Sequence, residues 1–265
     1  MLSQDYRRNL EENISAMPGT AAMYYRNLES GESFSFNGAE PIMAASVIKL
    51  PIFLEILRLA DSGALSLEEE IICSDEDKVG GCGALKAFPG EISLPLRTLA
   101  ELMITISDNT ATNLIIDRVG LPELQRGFEA AGLMVTRLRR KLYDAQASAM
   151  GLQNTISVSE IGMLLEKLFR GELVNPAVSE YALETLLRQQ INHKIPGYIK
   201  GFNARIAHKT GEDSGISNDV GIVYAKQPFV LCFAAQGTDV PRWERFIRET
   251  SLEIFEKCGG AAEKS

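Results

Sequence analysis

An α+β fold, with one antiparallel sheet built from both ends of the chain and helices between, is the architecture the sequence predicts. Three observations predict it. β-type runs occur only near the N-terminus and in the last quarter, the long middle is apolar at helical spacing, and both ends carry an amphipathic helical segment able to cover the sheet. Two strands from the front and three from the back give a five-stranded antiparallel sheet flanked by helices, an αβα sandwich with an all-helical lobe beside it. No internal repeat or low-complexity linker divides the chain, so residues 1–265 read as one domain. Its α/β lobe comes from about 1–45 and 190–265, and its helical lobe from about 46–189.

The elements follow in order. Residues 2–15 space Leu2, Tyr6, Leu10 and Ile14 as one apolar helix face. AAMYYRNL and ESFSF flank the Ser30-Gly31 turn as a hairpin. A helix starts near Ser46 and closes at Gly63, a C-cap signal. LRTLAELMITIS and NTATNLIIDRVG are two helices broken at Ser107-Asp108-Asn109. LPELQRGFEAAG, with Pro122 near its start, is a third, and VSEIGMLLEKLFRG and NPAVSEYALETLLRQQ follow. Residues 137–157 show no period. ARIAHKTG, DVGIVYA and FVLCFAAQ are strands, PRWERFIRETSLEIFEKC is the closing helix, and the final GGAAEKS reads as frayed.

Composition narrows the function classes. The chain is 45% hydrophobic and 23% charged, with a formal charge of −8, so phosphate backbones and anionic lipid are poor partners. No apolar run approaches the length of a membrane span. The polar N-terminus lacks a signal peptide's apolar stretch and cleavage site, which is expected of a cytoplasmic chain or of a mature exported form. Cys73, Cys82, Cys232 and Cys258 match no zinc or CxxC spacing, and only two histidines, His193 and His208, argue against a dedicated metal site. Cys232 reads as a buried thiol; Cys82, in GGCGAL, reads as an exposed turn.

Three short motifs stand in order: Ser46-Val47-Ile48-Lys49, Ser107-Asp108-Asn109 and Lys209-Thr210-Gly211. Each alone is weak, since Ser-Asp-Asn is also a helix cap and Lys-Thr-Gly also a strand end. As an ordered set on suitable elements they are specific to serine acyl transfer. If Ser46 opens a helix, Lys49 lies one turn on along the same face, and its amine can reach the hydroxyl. Burial and a nearby cation would lower the amine's pKa far enough for it to act as a base. Backbone N–H groups at the helix start can serve an oxyanion hole. Ser107, at a helix break, can relay a proton to a leaving nitrogen; Asn109 can hold a substrate amide; Asp108 fixes the turn. On a strand, Lys209 facing the cleft turns His208 and Thr210 away, so His208 reads as a packed histidine and the strand edge as a place for substrate to lie. No Gly-x-Ser-x-Gly elbow supports a Ser-His-Asp enzyme, and GGCG fits no phosphate loop.

With these motifs the chain resembles the class A β-lactamase family over nearly its whole length. FSFNGAEPIMAASVIKLPIFLEIL, ELMITISDNTATNLIID and RIAHKTGEDSGISNDVGIVYA carry the likeness. The resemblance implies Ser46 as acylated nucleophile, Lys49 as proton acceptor, and Ser107 and Asn109 in the cleft. It further implies that Lys209, Thr210 and Gly211 recognise substrate, that the fold is of the β-lactamase/transpeptidase type, and that no cofactor is needed. It departs in residues 137–157, where class A enzymes carry Glu-x-x-Leu-Asn with the deacylating glutamate. No glutamate stands between Ala130 and Ser159, and Leu142 falls at about the expected position. The RRKLYD run resembles class A-like hydrolases with an Arg-Lys-x-x-Asp motif. Asp144 is therefore either a substitute base or an anchor held by Arg137, Arg139, Arg140 and Lys141. Arg205 and Arg242 are candidates by position for assisting Lys209. The expected activity is β-lactam opening with slow or atypical deacylation by a monomer. The alternatives are a D-alanyl-D-alanine carboxypeptidase or esterase, and a penicillin-binding protein that acylates without turnover.

Overall fold

The computed structural model describes residues 2–199 and 204–260. Chain order runs α1 (Gln4–Ser15), β1 (Thr20–Asn27), β2 (Ser33–Phe36), β3 (Ile42–Met43), a 3-10 turn (Ala45–Ile48), α2 (Lys49–Asp61), β4 (Glu70–Cys73), β5 (Ile92–Pro95). It continues with α3 (Leu96–Thr105), α4 (Asn109–Val119), α5 (Leu121–Ala130), α6 (Ala145–Ala149), β6 (Thr155–Ile156), α7 (Val158–Phe169), α8 (Pro176–Leu187) and α9 (Pro196–Ile199). β7 (Arg205–Asp213), β8 (Ile216–Tyr224), β9 (Phe229–Gln236) and α10 (Val240–Lys257) complete it. Among the described residues the main sheet has five strands in the order β2-β1-β9-β8-β7, each neighbouring pair antiparallel. The fold is the α+β class expected from the two groups of strands. The part of the GGAAEKS tail at 261–265 lies outside the described residues.

The sheet is covered on both faces, and the strands show it by period two. In β9, Val230, Cys232 and Ala234 join one core, together with Ile48, Phe53, Met103, Ile115, Ile161 and Leu165 from α2, α3, α4, α7 and the 3-10 turn. The alternate residues Phe229, Leu231, Phe233 and Ala235 face a second core with Leu10 and Ile14 of α1 and Trp243, Ile247 and Ile254 of α10. Cys232 is thus the buried thiol its setting predicted. Side-chain caps start the helices where the sequence supplied them: Ser3 for α1, Asp108 for α4, Asn175 for α8 and Asp239 for α10. No helix among the described residues is long and apolar enough to cross a membrane.

Two features differ from the sequence reading. Ser46 does not open a regular α-helix but sits on the 3-10 turn, whose first residue, Ala45, has a φ of 42°. The reason is close packing: a Cβ at Gly211 would lie 2.9 Å from Ala44 O and 3.1 Å from Ser46 N, so edge strand β7 presses its bare glycine against this turn. The short ladders β3/β6 and β4/β5 also escaped notice. Strands this short register only where a turn signal such as Ser30-Gly31 marks a hairpin, and these four lack one.

Candidate active site

Ser46 lines an open cleft of about 580 Å³ together with Asn109, Leu142, Tyr143, Asp144 and Glu212. Behind it, three of the expected residues converge with no solvent contact to speak of. The Lys49 amine donates to Ser107 O (2.7 Å), Ser107 Oγ (3.0 Å) and Asn109 Oδ1 (2.7 Å). The Lys209 amine donates to Ser107 Oγ (3.1 Å) and Thr210 O (2.8 Å). The three motifs therefore meet at one hydroxyl, that of Ser107. Lys49 binds the second motif and not the Ser46 hydroxyl in this state.

Local backbone explains the convergence. Ser107 has a φ of 58°, in the left-handed region, which turns both its carbonyl and its hydroxyl toward Lys49. Such a conformation in a non-glycine residue costs about 1–3 kcal/mol and persists only where the surroundings hold it. Asp108 supplies the hold. Its carboxylate caps α4 at Ala111 N and accepts from Ala84 N and Leu85 N, which fixes the turn as expected and also ties down the 82–85 loop. Gly81 and Gly83 allow that loop its close approach. A Cβ at Gly83 would lie 2.3 Å from the Asp108 carboxyl carbon, and one at Gly81 2.7 Å from Asn109 Nδ2. Cys82 is exposed at the cleft rim, and its carbonyl accepts from Asn109 N.

Burial sets the electrostatics. The Lys49 amine is pushed well below the ordinary lysine range by desolvation and then by the charge of Lys209, with Cys82 and Asp108 pulling weakly upward. Desolvation lowers Lys209 to about 7; Asp219 raises it, and Lys194 lowers it further. Two buried ammonium groups sharing one hydroxyl repel each other, so one neutral amine relieves the site. A neutral Lys49 keeps two N–H donors for Ser107 O and Asn109 Oδ1 and offers its lone pair to the Ser107 O–H. Lys209, still charged, then donates to the same oxygen. This arrangement links the Ser107 hydroxyl to both amines by hydrogen bonds.

His208 is buried as expected, its Nδ1 2.9 Å from Asp219 Oδ1 and its Nε2 2.9 Å from Asn192 Oδ1. Neither candidate arginine reaches the cleft. Arg205 stacks over Tyr224 at the far end of β7, and Arg242 sits exposed in the first turn of α10. Another cation approaches the third motif, and the sequence reading missed it. Lys194, fully buried, donates to Gly211 O (3.2 Å) and Asn218 O (3.1 Å) and pairs with Glu212 (2.9 Å). Beside it, His193, Glu212 and Glu244 bring donor atoms within 4.8 Å of one another. Their charges are engaged by Lys194 and, at 3.8 Å, by Arg248.

The loop of residues 137–157 forms the other wall, and its anchoring differs from expectation. Asp144 pairs with none of the four neighbouring cations: its carboxylate caps α6 at Ala147 N (2.9 Å). Arg137 pairs with Glu129, Lys141 with Asp117, and the Arg140 guanidinium bonds Gln153 and the Lys141 carbonyl. Hydrogen bonds to the backbone hold the loop instead. Asn113 donates to Leu142 O and accepts from Leu142 N, while Asn154 accepts from Arg139 N and Arg140 N and donates to Arg140 O. Isolated asparagines give no periodic signal, so these clamps are not legible in the sequence. Tyr143, exposed and with a φ of 62°, overhangs Gly80 and Gly81 at the cleft mouth.

Comparison with known proteins agrees with this geometry. The model of the Beta-lactamase enzyme family matches residues 5–258. The β-lactamase BRO-1 of Moraxella catarrhalis is 25% identical over 225 residues, covering 80% of this chain and 69% of its own. The solved structure of PBP-A superimposes with a TM-score of 0.86 at 31% identity, covering 96% of each chain. A leucine-to-glutamate mutant of PBP-A, solved as an acyl-enzyme complex with penicillin G, matches with a TM-score of 0.85 at 31% identity over 95% of each chain.

Proposed function

The chain belongs to the beta-lactamase enzyme family as a class A-like serine hydrolase, and from that premise we propose that it opens β-lactam rings through an ester on Ser46. The observation that carries the reading is the Ser107 hydroxyl shared by the two buried amines, Lys49 and Lys209, with Lys49 following directly on the turn that carries Ser46. In the proposed step, Ser46 Oγ bonds to the lactam carbonyl carbon while its proton passes to neutral Lys49. The carbonyl electron pair moves onto oxygen, where the N–H groups of Ser46 and Glu212 receive it. The C–N bond then breaks, and the Ser107 hydroxyl protonates the departing nitrogen, replenished from Lys49. Asn109 holds the substrate's side-chain amide, and Lys209 with Thr210 and Gly211 receives its carboxylate. The cleft is read as the seam between the α/β and helical lobes, and the enzyme as a monomer acting on a small molecule without nucleic acid or membrane.

Water must then break the ester, and here Leu142 favours a second reading. It lines the cleft where a class A enzyme is expected to carry its deacylating glutamate. A long-lived acyl-enzyme would make the protein a penicillin-binding or D-alanyl-D-alanine carboxypeptidase-type enzyme with the same acylation chemistry. Mixing the protein with a chromogenic cephalosporin, while following colour and intact mass, separates the cases. Many turnovers without lasting adduct mean a working β-lactamase. One stoichiometric burst with a stable adduct on Ser46 means the second reading. No burst and no adduct would sink both.

A further inference from the structure

We infer that Lys194 is a positioning residue that sets the oxyanion-binding N–H groups from beneath the sheet; the inference rests on the acyl-transfer reading above. The amine is fully buried and spends its three N–H donors on Gly211 O, Asn218 O and the Glu212 carboxylate. Two of these partners are strand carbonyls; the third, the Glu212 carboxylate, is half exposed and also meets His193. Each belongs to the framework of the anion pocket.

Gly211 and Glu212 share one peptide unit. In a planar trans peptide the carbonyl and the N–H point in opposite directions, and no cis peptide occurs among the described residues. A hydrogen bond that fixes Gly211 C=O therefore fixes the direction of Glu212 N–H. The Glu212 side chain is held by the same amine, so the residue is tethered at both its backbone and its carboxylate. The second tether reaches Ser46. Lys194 holds the Asn218 carbonyl, while the Asn218 side-chain amide donates to Met43 O (3.0 Å) and Ala44 O (3.1 Å), immediately before the turn that carries Ser46. As an early residue of a 3-10 turn, Ser46 has no partner for its N–H within the turn. One buried cation thus braces both donors, Glu212 N–H and Ser46 N–H.

The segment that delivers Lys194 is itself pinned. Ile195 N donates to Asp219 Oδ2 (2.9 Å), Asp219 Oδ1 engages His208, and His208 Nε2 meets Asn192 Oδ1. Asn192 Nδ2 donates to Gln189 O (3.0 Å), which orients its amide oxygen toward the histidine. These bonds fix residues 189–195 against the underside of β7 and β8. They give the buried His208–Asp219 pair a structural purpose that the acylation chemistry does not use.

The test separates acylation from binding. Stopped-flow acylation of Lys194→Met and Lys194→Arg by a chromogenic cephalosporin yields the acylation rate constant and the noncovalent dissociation constant separately. A boronic acid, which forms a tetrahedral adduct on Ser46, reports the oxyanion pocket independently. Lys194→Met is expected to slow acylation by on the order of 10²-fold, as loss of one oxyanion donor does. Boronate affinity should fall in parallel, the substrate dissociation constant should stay within about twofold, and Lys194→Arg should recover part of the rate. A changed dissociation constant with an unchanged acylation rate overturns the inference and makes Lys194 a substrate-binding group. Unchanged values for both overturn it outright. Should Lys194→Met fail to fold, Lys194→Gln is read by the same criteria. No adduct on the parent protein overturns the acyl-transfer reading and this inference together; an adduct on the parent with normal acylation in the variants overturns this inference alone.

Discussion

The two walls of the cleft are held together by opposite means. On the motif wall, side chains meet side chains: the Lys49 and Lys209 amines share the Ser107 hydroxyl, three groups able to hold or relay a proton, while the Asn109 amide oxygen orients Lys49. On the loop wall, side chains bond backbone: Asn113 and Asn154 clamp residues 139–142, and the one carboxylate, Asp144, is spent on a helix cap. The first wall is built to move protons, the second to hold a shape. On the proposed reading, acylation has its proton carriers in place, while the loop that would serve deacylation presents the apolar Leu142 to the cleft.

The sharpest test of the motif wall is removal of its proposed nucleophile. Ser46→Ala should lower β-lactam turnover by on the order of 10⁴-fold or more and abolish the mass adduct. An adduct surviving in this variant would move the nucleophile elsewhere. The loop wall should respond in the other direction. Because Asn113 grips the backbone of Leu142, Leu142→Glu can change the side chain without moving the loop. It should speed acyl-enzyme breakdown by ~10²-fold, within the range of general-base catalysis. Loss of adduct over time, followed by mass, reads it directly, and an unchanged lifetime would mean that no water reaches that position.

A smaller effect comes from pH. Lys209, lowered to about 7, carries its charge below that pH and loses it above. Affinity for an anionic substrate should therefore be present below about 7 and fall as pH rises, approaching about tenfold per unit. Lys49 is lowered as well, by desolvation first and then by the charge of Lys209, which favours its neutral form as a base. A neutral ester substrate should lack this alkaline loss; if it shows the same profile, Lys209 acts in the chemical step and not in carboxylate recognition. The smallest effect belongs to Asp144. Asparagine caps a helix about as well as aspartate. Asp144→Asn should then leave the acyl-enzyme lifetime within about twofold, and a large rise in lifetime would restore the carboxylate as a base.

Most of the fold was legible because its signals are periodic. β9 alternates between two cores and the long helices repeat at helical spacing, so both could be read along the chain. The short ladders β3/β6 and β4/β5 could not, for their pairing depends on partners distant in sequence. At the site, the motif residues were legible because the chemistry demands fixed residue types at short spacing. Ser46 and Lys49 stand three apart, and Ser107 and Asn109 two apart. Of the two roles the sequence suggests for Asp144, anchoring by its cationic neighbours is not what the structure shows: its carboxylate caps α6. Adjacency in sequence suggested ion pairs, whereas the loop turns Arg137 to Glu129 and Lys141 to Asp117.

By itself, then, the sequence determined the five strands of the main sheet and the long helices, the three motifs that carry the proposed nucleophile and its partners, and the absence of a glutamate from residues 131–158. Only the tertiary structure decided that Ser107 is the meeting point of both lysines, that Leu142 faces the cleft in a backbone clamp, and that Lys194 lies beneath the third motif. The division has a physical cause. Helical and strand periods and short motifs are set by bonds between near neighbours, whereas these three contacts span long stretches of chain. They come into being only when the sheet and the helices close over a common core.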